Sequence, residues 1–223
     1  MSVPRLMPSH APAFDATRAR GRMIERLRTQ GIRNEKVLAA MAAIPRHQFV
    51  EKGLAFSAYD DNALPIGLQQ TISQPYVVAR MIEILCDGRE LGRTLEIGAG
   101  CGYQAAVLSL LASEVYSVER LKTLLDRARE NLRPLRLPNL RLKCGDGTLG
   151  LAEAAPFDTI IVAAGGAKVP SALKTQLAPE GKLLIPVGAG DQRLLLIERQ
   201  GNVFKESKCD PPVRFVPLLT GIE

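Results

Sequence analysis

The chain has 223 residues, 46% hydrophobic and 23% charged, with a formal net charge of +6, the mix of an ordinary globular protein. It is long enough for one α/β domain with a small addition. No apolar run is long enough to cross a bilayer, and four cysteines with two histidines lack C-x-x-C spacing, which excludes a spanning helix and argues against zinc and for a reducing, cytoplasmic setting.

Met1 to Asp15, rich in Pro and Ala and without an apolar h-region, reads as a disordered tail rather than a signal peptide. Ala16 to Gln30 reads as an amphipathic helix stopped by Gly31. A second helix starts at Asn34, a good N-cap, buries Val37, Leu38, Met41 and Ile44, and ends before Pro45. His47 lacks a nearby Cys or Ser partner pattern and is read as structural. Residues 51–71 read as loop, in a position that suits a lid. A helix follows over Pro75 to Cys86, where proline suits the first turn and Ser73 sits where a cap would.

From Leu91 strands and helices alternate: strand 93–97, helix 104–112, strand 115–118, helix 121–132, strand 140–143, strand 158–162, helix 170–177, and strand 182–187 after Gly181, read as a helix stop. Leu194–Glu198 and Val213–Leu219 have no helix between them and read as antiparallel additions. The expected fold is α/β, a Rossmann-like doubly wound, mostly parallel sheet with a late antiparallel hairpin and an N-terminal helical addition. The expected organisation is a tail over 1–15, an addition with a substrate loop over 16–75 and a core over 76–223, the last two forming one compact unit.

The stretch Arg93-Thr94-Leu95-Glu96-Ile97-Gly98-Ala99-Gly100-Cys101-Gly102-Tyr103 joins a buried strand to a helix through three glycines. Such a turn lets backbone approach a ligand closely. Glu119, after the next strand, can accept hydrogen bonds from both ribose hydroxyls of an adenosine. The NAD fingerprint needs glycine at the sixth position, and counting from Gly98 that position is Tyr103, so it fails. Cys101 is read as a small filler without a base beside it.

The positive charge is clustered: residues 1–36 hold eight Arg/Lys against three acids, and residues 120–143 eight against two. With few aromatics to stack bases, these read as solvated helix faces rather than a nucleic-acid surface.

The pattern Glu96-x-Gly98-x-Gly100-x-Gly102, with Glu119 and Asp146 after successive strands, resembles the S-adenosylmethionine (AdoMet) site of class I methyltransferases. The stretches Ile44–Val50, Ala63–Gly67, Gln70-Thr71-Ile72-Ser73-Gln74-Pro75 and Arg214-Phe215-Val216-Pro217-Leu218 are similar to protein-L-isoaspartate O-methyltransferases over nearly the whole chain. That resemblance implies methyl transfer from AdoMet to the free α-carboxylate of L-isoaspartyl residues in damaged proteins and peptides. The ester then collapses to a succinimide. It implies Ser73 as the active-site residue and a cofactor site of Thr71, Ser73, Glu96, Gly98, Gly100, Glu119, Arg120, Asp146 and Gly147, with no metal. Gly98 and Gly100 then lie under the methionine part, Glu119 at the ribose and Asp146 at the adenine. The implied partners are isoaspartyl peptides and proteins, with no nucleic acid or membrane, and a monomer in the cytoplasm. Gln69 stands where the family often has glycine, which stiffens the loop before Ser73. Arg214 is placed to meet the substrate if the tail folds back.

Two other readings are weighed. A nucleic-acid methyltransferase would suit the basic helices, but base amino-methylating enzymes commonly carry an Asn/Asp-Pro-Pro-aromatic turn where this chain has Ala163-Ala164-Gly165-Gly166. A non-catalytic AdoMet sensor would bind cofactor without turnover.

Overall fold

The computed structural model describes residues 14–223. The tail expected over 1–15 lies, for residues 1–13, outside the described residues. Phe14 and Asp15 belong to the fold: Asp15 accepts the Arg18 N–H at 2.9 Å and caps the first helix, and the Phe14 ring packs on His47, Phe56 and Tyr59.

Helix α1 (Ala16–Thr29) buries Ala19, Met23, Ile24 and Leu27. It ends at Gly31, whose φ of +100° suits glycine beyond a helix C-terminus. Helix α2 (Glu35–Ala43) is capped by Asn34, as expected. The segment read as loop over 51–71 is mostly structured. A 3₁₀ turn over Lys52–Ser57 follows one over Arg46–Phe49. Strands β1 (Leu64–Gly67) and β2 (Gln70–Ile72) then form an antiparallel hairpin. Helix α3 (Pro75–Leu85) starts on its proline.

Strand β3 (Arg93–Ile97), helix α4 (Tyr103–Ser109), strand β4 (Glu114–Glu119), helix α5 (Lys122–Leu132), strand β5 (Leu140–Cys144), strand β6 (Phe157–Val162), helix α6 (Ser171–Thr175) and strand β7 (Leu177–Val187) follow. Strands β8 (Gln192–Gln200) and β9 (Val203–Val213) complete the sheet. Among the described residues the large sheet has seven strands in the order β5-β4-β3-β6-β7-β8-β9. Pairing is parallel from β5 to β7 and antiparallel through β8 and β9. Strand β3 is buried from Thr94 to Ile97, as expected of a parallel strand covered on both faces. The chain runs outward through β4 and β5, then returns to the other side of β3 with β6. That reversal creates a crevice at the carboxyl ends of β3 and β6, where ligands bind in open α/β sheets.

Two expectations are corrected. Gly181 does not stop a helix: α6 ends at Thr175, and Gly181 lies inside β7. Phe157 pairs with Leu177 but Thr159 with Lys182, so β7 bulges there. A Cβ at Gly181 would come within 3.0 Å of the Phe157 and Ala178 carbonyls, so glycine serves close backbone approach. The last strand is 203–213, not 213–219. Pro217 has no N–H to continue a ladder. Instead, Gly165 N–H donates to the Val216 carbonyl and Leu218 N–H to that of Gly165, both at 2.8 Å, which lays the segment over the end of β6.

The basic helix faces are solvated and paired. Arg28 meets Glu25 and Glu35, and Lys122 and Arg129 both meet Asp126. No helix among the described residues is long and apolar enough to cross a membrane.

Candidate active site

The glycine turn after β3 has the conformation its sequence demands: Gly98, Gly100 and Gly102 sit at φ +90°, +55° and +89°, where only glycine is free of strain. The Gly98 N–H donates to the Val118 carbonyl at 2.8 Å, tying the turn to β4. Gly102 opens α4, and a Cβ there would lie 2.8 Å from Leu132 Cδ1. Tyr103, at the position that excluded NAD, is buried against Phe49.

Glu119 ends β4 and is 6% exposed. Its Oε2 accepts the Gly100 N–H at 2.9 Å and its Oε1 the Leu121 N–H at 3.0 Å. The carboxylate therefore pins the glycine turn, and each oxygen retains a lone pair for a further donor.

A cleft opens at this edge of the sheet. Of the expected residues, Thr71, Ser73, Gly98, Gly100, Glu119, Arg120 and Gly147 line it. A Cβ on Gly147 would fall 2.3 Å from Ile97 Cγ2, so only glycine leaves this wall open. The wall also contains Gln104, Ala163, Ala164 and the segment Val216–Leu219. None of these carries a motif signal of its own except the Val-Pro-Leu ending, whose place over the cleft follows from the tail's return.

Glu96 and Asp146 are not in the wall. Glu96 is fully buried beneath the glycine turn; it accepts from Gln104 Nε2 at 3.0 Å and from the Ser117 hydroxyl. Burial pushes its carboxyl up to about 8, against the lowering effect of those two donors. Asp146 Oδ1 accepts from the Thr148 N–H and hydroxyl at 2.8 and 2.6 Å, and Oδ2 from the Gly221 N–H at 2.7 Å. Partial burial raises its carboxyl, but the Gly221 and Thr148 donors and the nearby Arg120 leave it net below the usual range. Arg120 is engaged by the same C-terminal segment, through the Gly221 carbonyl at 3.3 Å and Glu223 at 2.8 Å.

Ser73 is half-buried at the entry to α3 but does not cap it. The N-cap residue is Gln74, with no side-chain cap bond, and the Tyr76 N–H is taken by Asp61 Oδ1 at 2.9 Å. The cap reading of Ser73 is thereby corrected. Cys101 lies in the wall, but burial pushes its thiol up to about 11, so at neutral pH it is protonated and a poor nucleophile. His47 bonds Tyr59 at 2.7 Å in an aromatic cluster outside the cleft wall; burial, with Arg20 nearby, holds its imidazole below the usual value. Arg214 is exposed and outside the wall. This arrangement offers donors, glycine-floored space and apolar cover, without an activated base.

The protein-L-isoaspartate(D-aspartate) O-methyltransferase family model matches residues 18–223. Over 212 residues the chain is 73% identical to the protein-L-isoaspartate O-methyltransferase of Aromatoleum aromaticum, covering 95% of this chain and 97% of that protein. It is 72% identical over 218 residues to the enzyme of that name from an Azoarcus species, covering 97% and 100%. A solved protein-L-isoaspartate O-methyltransferase superposes with a TM-score of 0.80 at 29% identity, covering 89% of this chain but only 65% of that one. A Plasmodium falciparum structure in complex with S-adenosyl-L-homocysteine shares the fold, with a TM-score of 0.78 at 24% identity over 89% and 97% of the two chains.

Proposed function

The chain belongs to the protein-L-isoaspartate(D-aspartate) O-methyltransferase family, and from that premise we propose how its cleft serves the reaction. It is an AdoMet-dependent repair enzyme that methylates the free α-carboxylate of L-isoaspartyl residues in damaged proteins and peptides. Family membership sets aside the nucleic-acid methyltransferase reading. The carrying observation for the cofactor is the glycine-floored cleft, closed at Gly147 to any side chain and bounded by Glu119. When bound, AdoMet supplies a methyl group already activated by its sulfonium.

In the proposed site Gly98 and Gly100 form the floor, Glu119 accepts from the ribose, and Thr71, Arg120 and Gly147 complete the walls. Glu96 supports the floor from below through Gln104. Asp146 acts through the Gly145–Gly147 turn, since its oxygens already hold Thr148 and Gly221. Ser73 is the catalytic residue: its hydroxyl donates to the substrate carboxylate and sets one oxygen toward the methyl group. That carboxylate has a pKa of about 4 and is already an anion, so no base is required. Alignment alone can supply on the order of 7–11 kcal/mol. A neutral donor aligns the anion without capturing it as a cation would. The Val216–Leu219 segment and Ile72 and Val78 give the cleft an apolar cover that excludes water.

We extend the reading to organisation and setting. Residues 16–75 and 76–223 form one compact unit, supported by a hydrophobic cluster running from Met23 and Leu27 through Met81 to Ile161 and Leu184. Cys86, Cys101 and Cys144 are free thiols, which supports a cytoplasmic setting.

The test is transfer of labelled methyl from AdoMet to two matched peptides, one isoaspartyl and one aspartyl. Base-labile label on the isoaspartyl peptide alone is expected; label on neither, with AdoMet still bound, would sink the substrate assignment. Ser73→Ala should lower kcat by about tenfold to a hundredfold, the range expected for lost alignment. Unchanged rate and peptide affinity would remove Ser73 from catalysis.

A further inference from the structure

Arg46 is 0% exposed, and its guanidinium bonds carbonyls rather than a carboxylate. Nε donates to the Ala58 carbonyl and Nη2 to the Ser73 carbonyl, both at 2.7 Å. Its Cζ lies 4.8 Å from the centroid of the Tyr103 ring. The remaining nitrogen, Nη1, and the Tyr103 hydroxyl are buried without a hydrogen-bond partner. Taking a guanidinium out of water is costly, and apolar residues often fill such a volume as well or better. What an apolar residue cannot do is grip two carbonyls from different segments. Arg46 joins the 3₁₀ turn of residues 46–49, the end of the following turn at Ala58 and the residue that enters α3.

A second contact acts on the other side of Ser73. Ser73 lies one residue ahead of the N-cap Gln74, close enough in the chain for a serine hydroxyl to compete for a first-turn N–H. Here Asp61 takes the Tyr76 N–H, and its second oxygen is held by Gln30 Nε2 at 2.8 Å.

We propose that Arg46 and Asp61 are positioning residues for Ser73. Arg46 locks the peptide plane that follows Ser73 by holding its carbonyl. Asp61 supplies the cap from outside the helix, so the Ser73 hydroxyl stays available to the substrate carboxylate in the cleft. Both roles rest on the reading of Ser73 given above. The hydroxyl thus gets its aim from a buried cation and a distant acid that themselves touch neither substrate nor cofactor.

The test is a double-mutant cycle of Ser73→Ala and Arg46→Lys, reading methyl transfer to an isoaspartyl peptide, S-adenosylhomocysteine affinity and Tm. Arg46→Lys keeps the charge and loses the fork. It is expected to lower kcat by about tenfold or more, as a displaced aligning group does, with cofactor affinity and peptide KM little changed. In the Ser73→Ala background the same change should cost less than about threefold, because residues acting as a unit are not additive. Asp61→Ala should lower kcat, and Asp61→Asn, which keeps an acceptor oxygen, should restore most of it. If Ser73→Ala is damaging and Arg46→Lys costs the same in both backgrounds, the positioning role falls and the Ser73 reading stands. If Ser73→Ala retains full rate, the Ser73 reading falls and takes the positioning role with it. Should Arg46→Lys fail to fold, the Asp61 pair decides: equal kcat for Asn and Ala would overturn the proposal.

Discussion

Glu96 combines a carboxyl group, complete burial and only neutral donors, and burial raises it to about 8 from an ordinary 4.5. A carboxyl whose folded pKa is raised binds more protons folded than unfolded across that interval, so its contribution to stability falls as pH rises. Below about 4.5 it adds no penalty, and above about 8 the penalty is complete. Glu96→Gln mimics the protonated acid toward Gln104 and Ser117. Wild type should therefore lose stability relative to Glu96→Gln steadily as pH rises from about 5 to about 8. Thermal melts of both proteins across that range measure it, and a constant difference would contradict a raised Glu96. The hairpin between β1 and β2 turns through Leu68 and Gln69, at φ +50° and +58°. Left-handed backbone costs a non-glycine residue about 1–2 kcal/mol, partly offset in a glycine variant by the freer unfolded chain. Gln69→Gly should raise stability by about 0.5–1 kcal/mol in urea unfolding. The stiffening expected from Gln69 thus takes the form of local strain in front of Thr71 and Ser73.

Elements meet at the site because the sheet's parallel register brings their ends to one edge. Ile97 pairs with both Val118 and Val162, so the turns after β3, β4 and β6 emerge side by side. Glu119 then crosses from β4 to the glycine turn through the Gly100 N–H, while its other oxygen holds the Leu121 N–H of its own segment. Glu119→Ala removes both acceptors together with the proposed ribose contact. S-adenosylhomocysteine affinity should fall by about tenfold or more, since bonds to a charged group are each worth about 1.5–3 kcal/mol. Calorimetric titration reads this directly, and unchanged affinity would place the ribose elsewhere. Long elements were legible because their periodicity runs over several turns: α1 and α3 appear within a residue or two of expectation. The β1–β2 hairpin was not legible. Its strands are four and three residues long, and its left-handed turn uses Leu and Gln where a hairpin signal is normally Asn-Gly or Asp-Gly.

At the scale of the whole molecule, α1 and α2 share one hydrophobic cluster with α3, α4 and residues of the large sheet, and the proposed single unit predicts that the addition does not melt alone. Unfolding followed by far-ultraviolet circular dichroism and by the fluorescence of the four tyrosines should give one coincident transition. Two separated transitions would divide residues 16–75 from the core. The sequence by itself determined the alternation of strand and helix, the glycine turn with its two acids, and the segments that carry the family resemblance. Each of these is written in residues close together in the chain: hydrophobic period, backbone freedom at glycine, and short motifs. Only the tertiary structure decided which side chains reach the cleft. It moved Glu96 beneath the floor, engaged Asp146 with Gly221, folded Val216–Leu219 over the opening, and brought Asp61 to the Tyr76 N–H close to Ser73. These are contacts between segments distant in sequence, and no local pattern encodes which buried polar group will satisfy which partner.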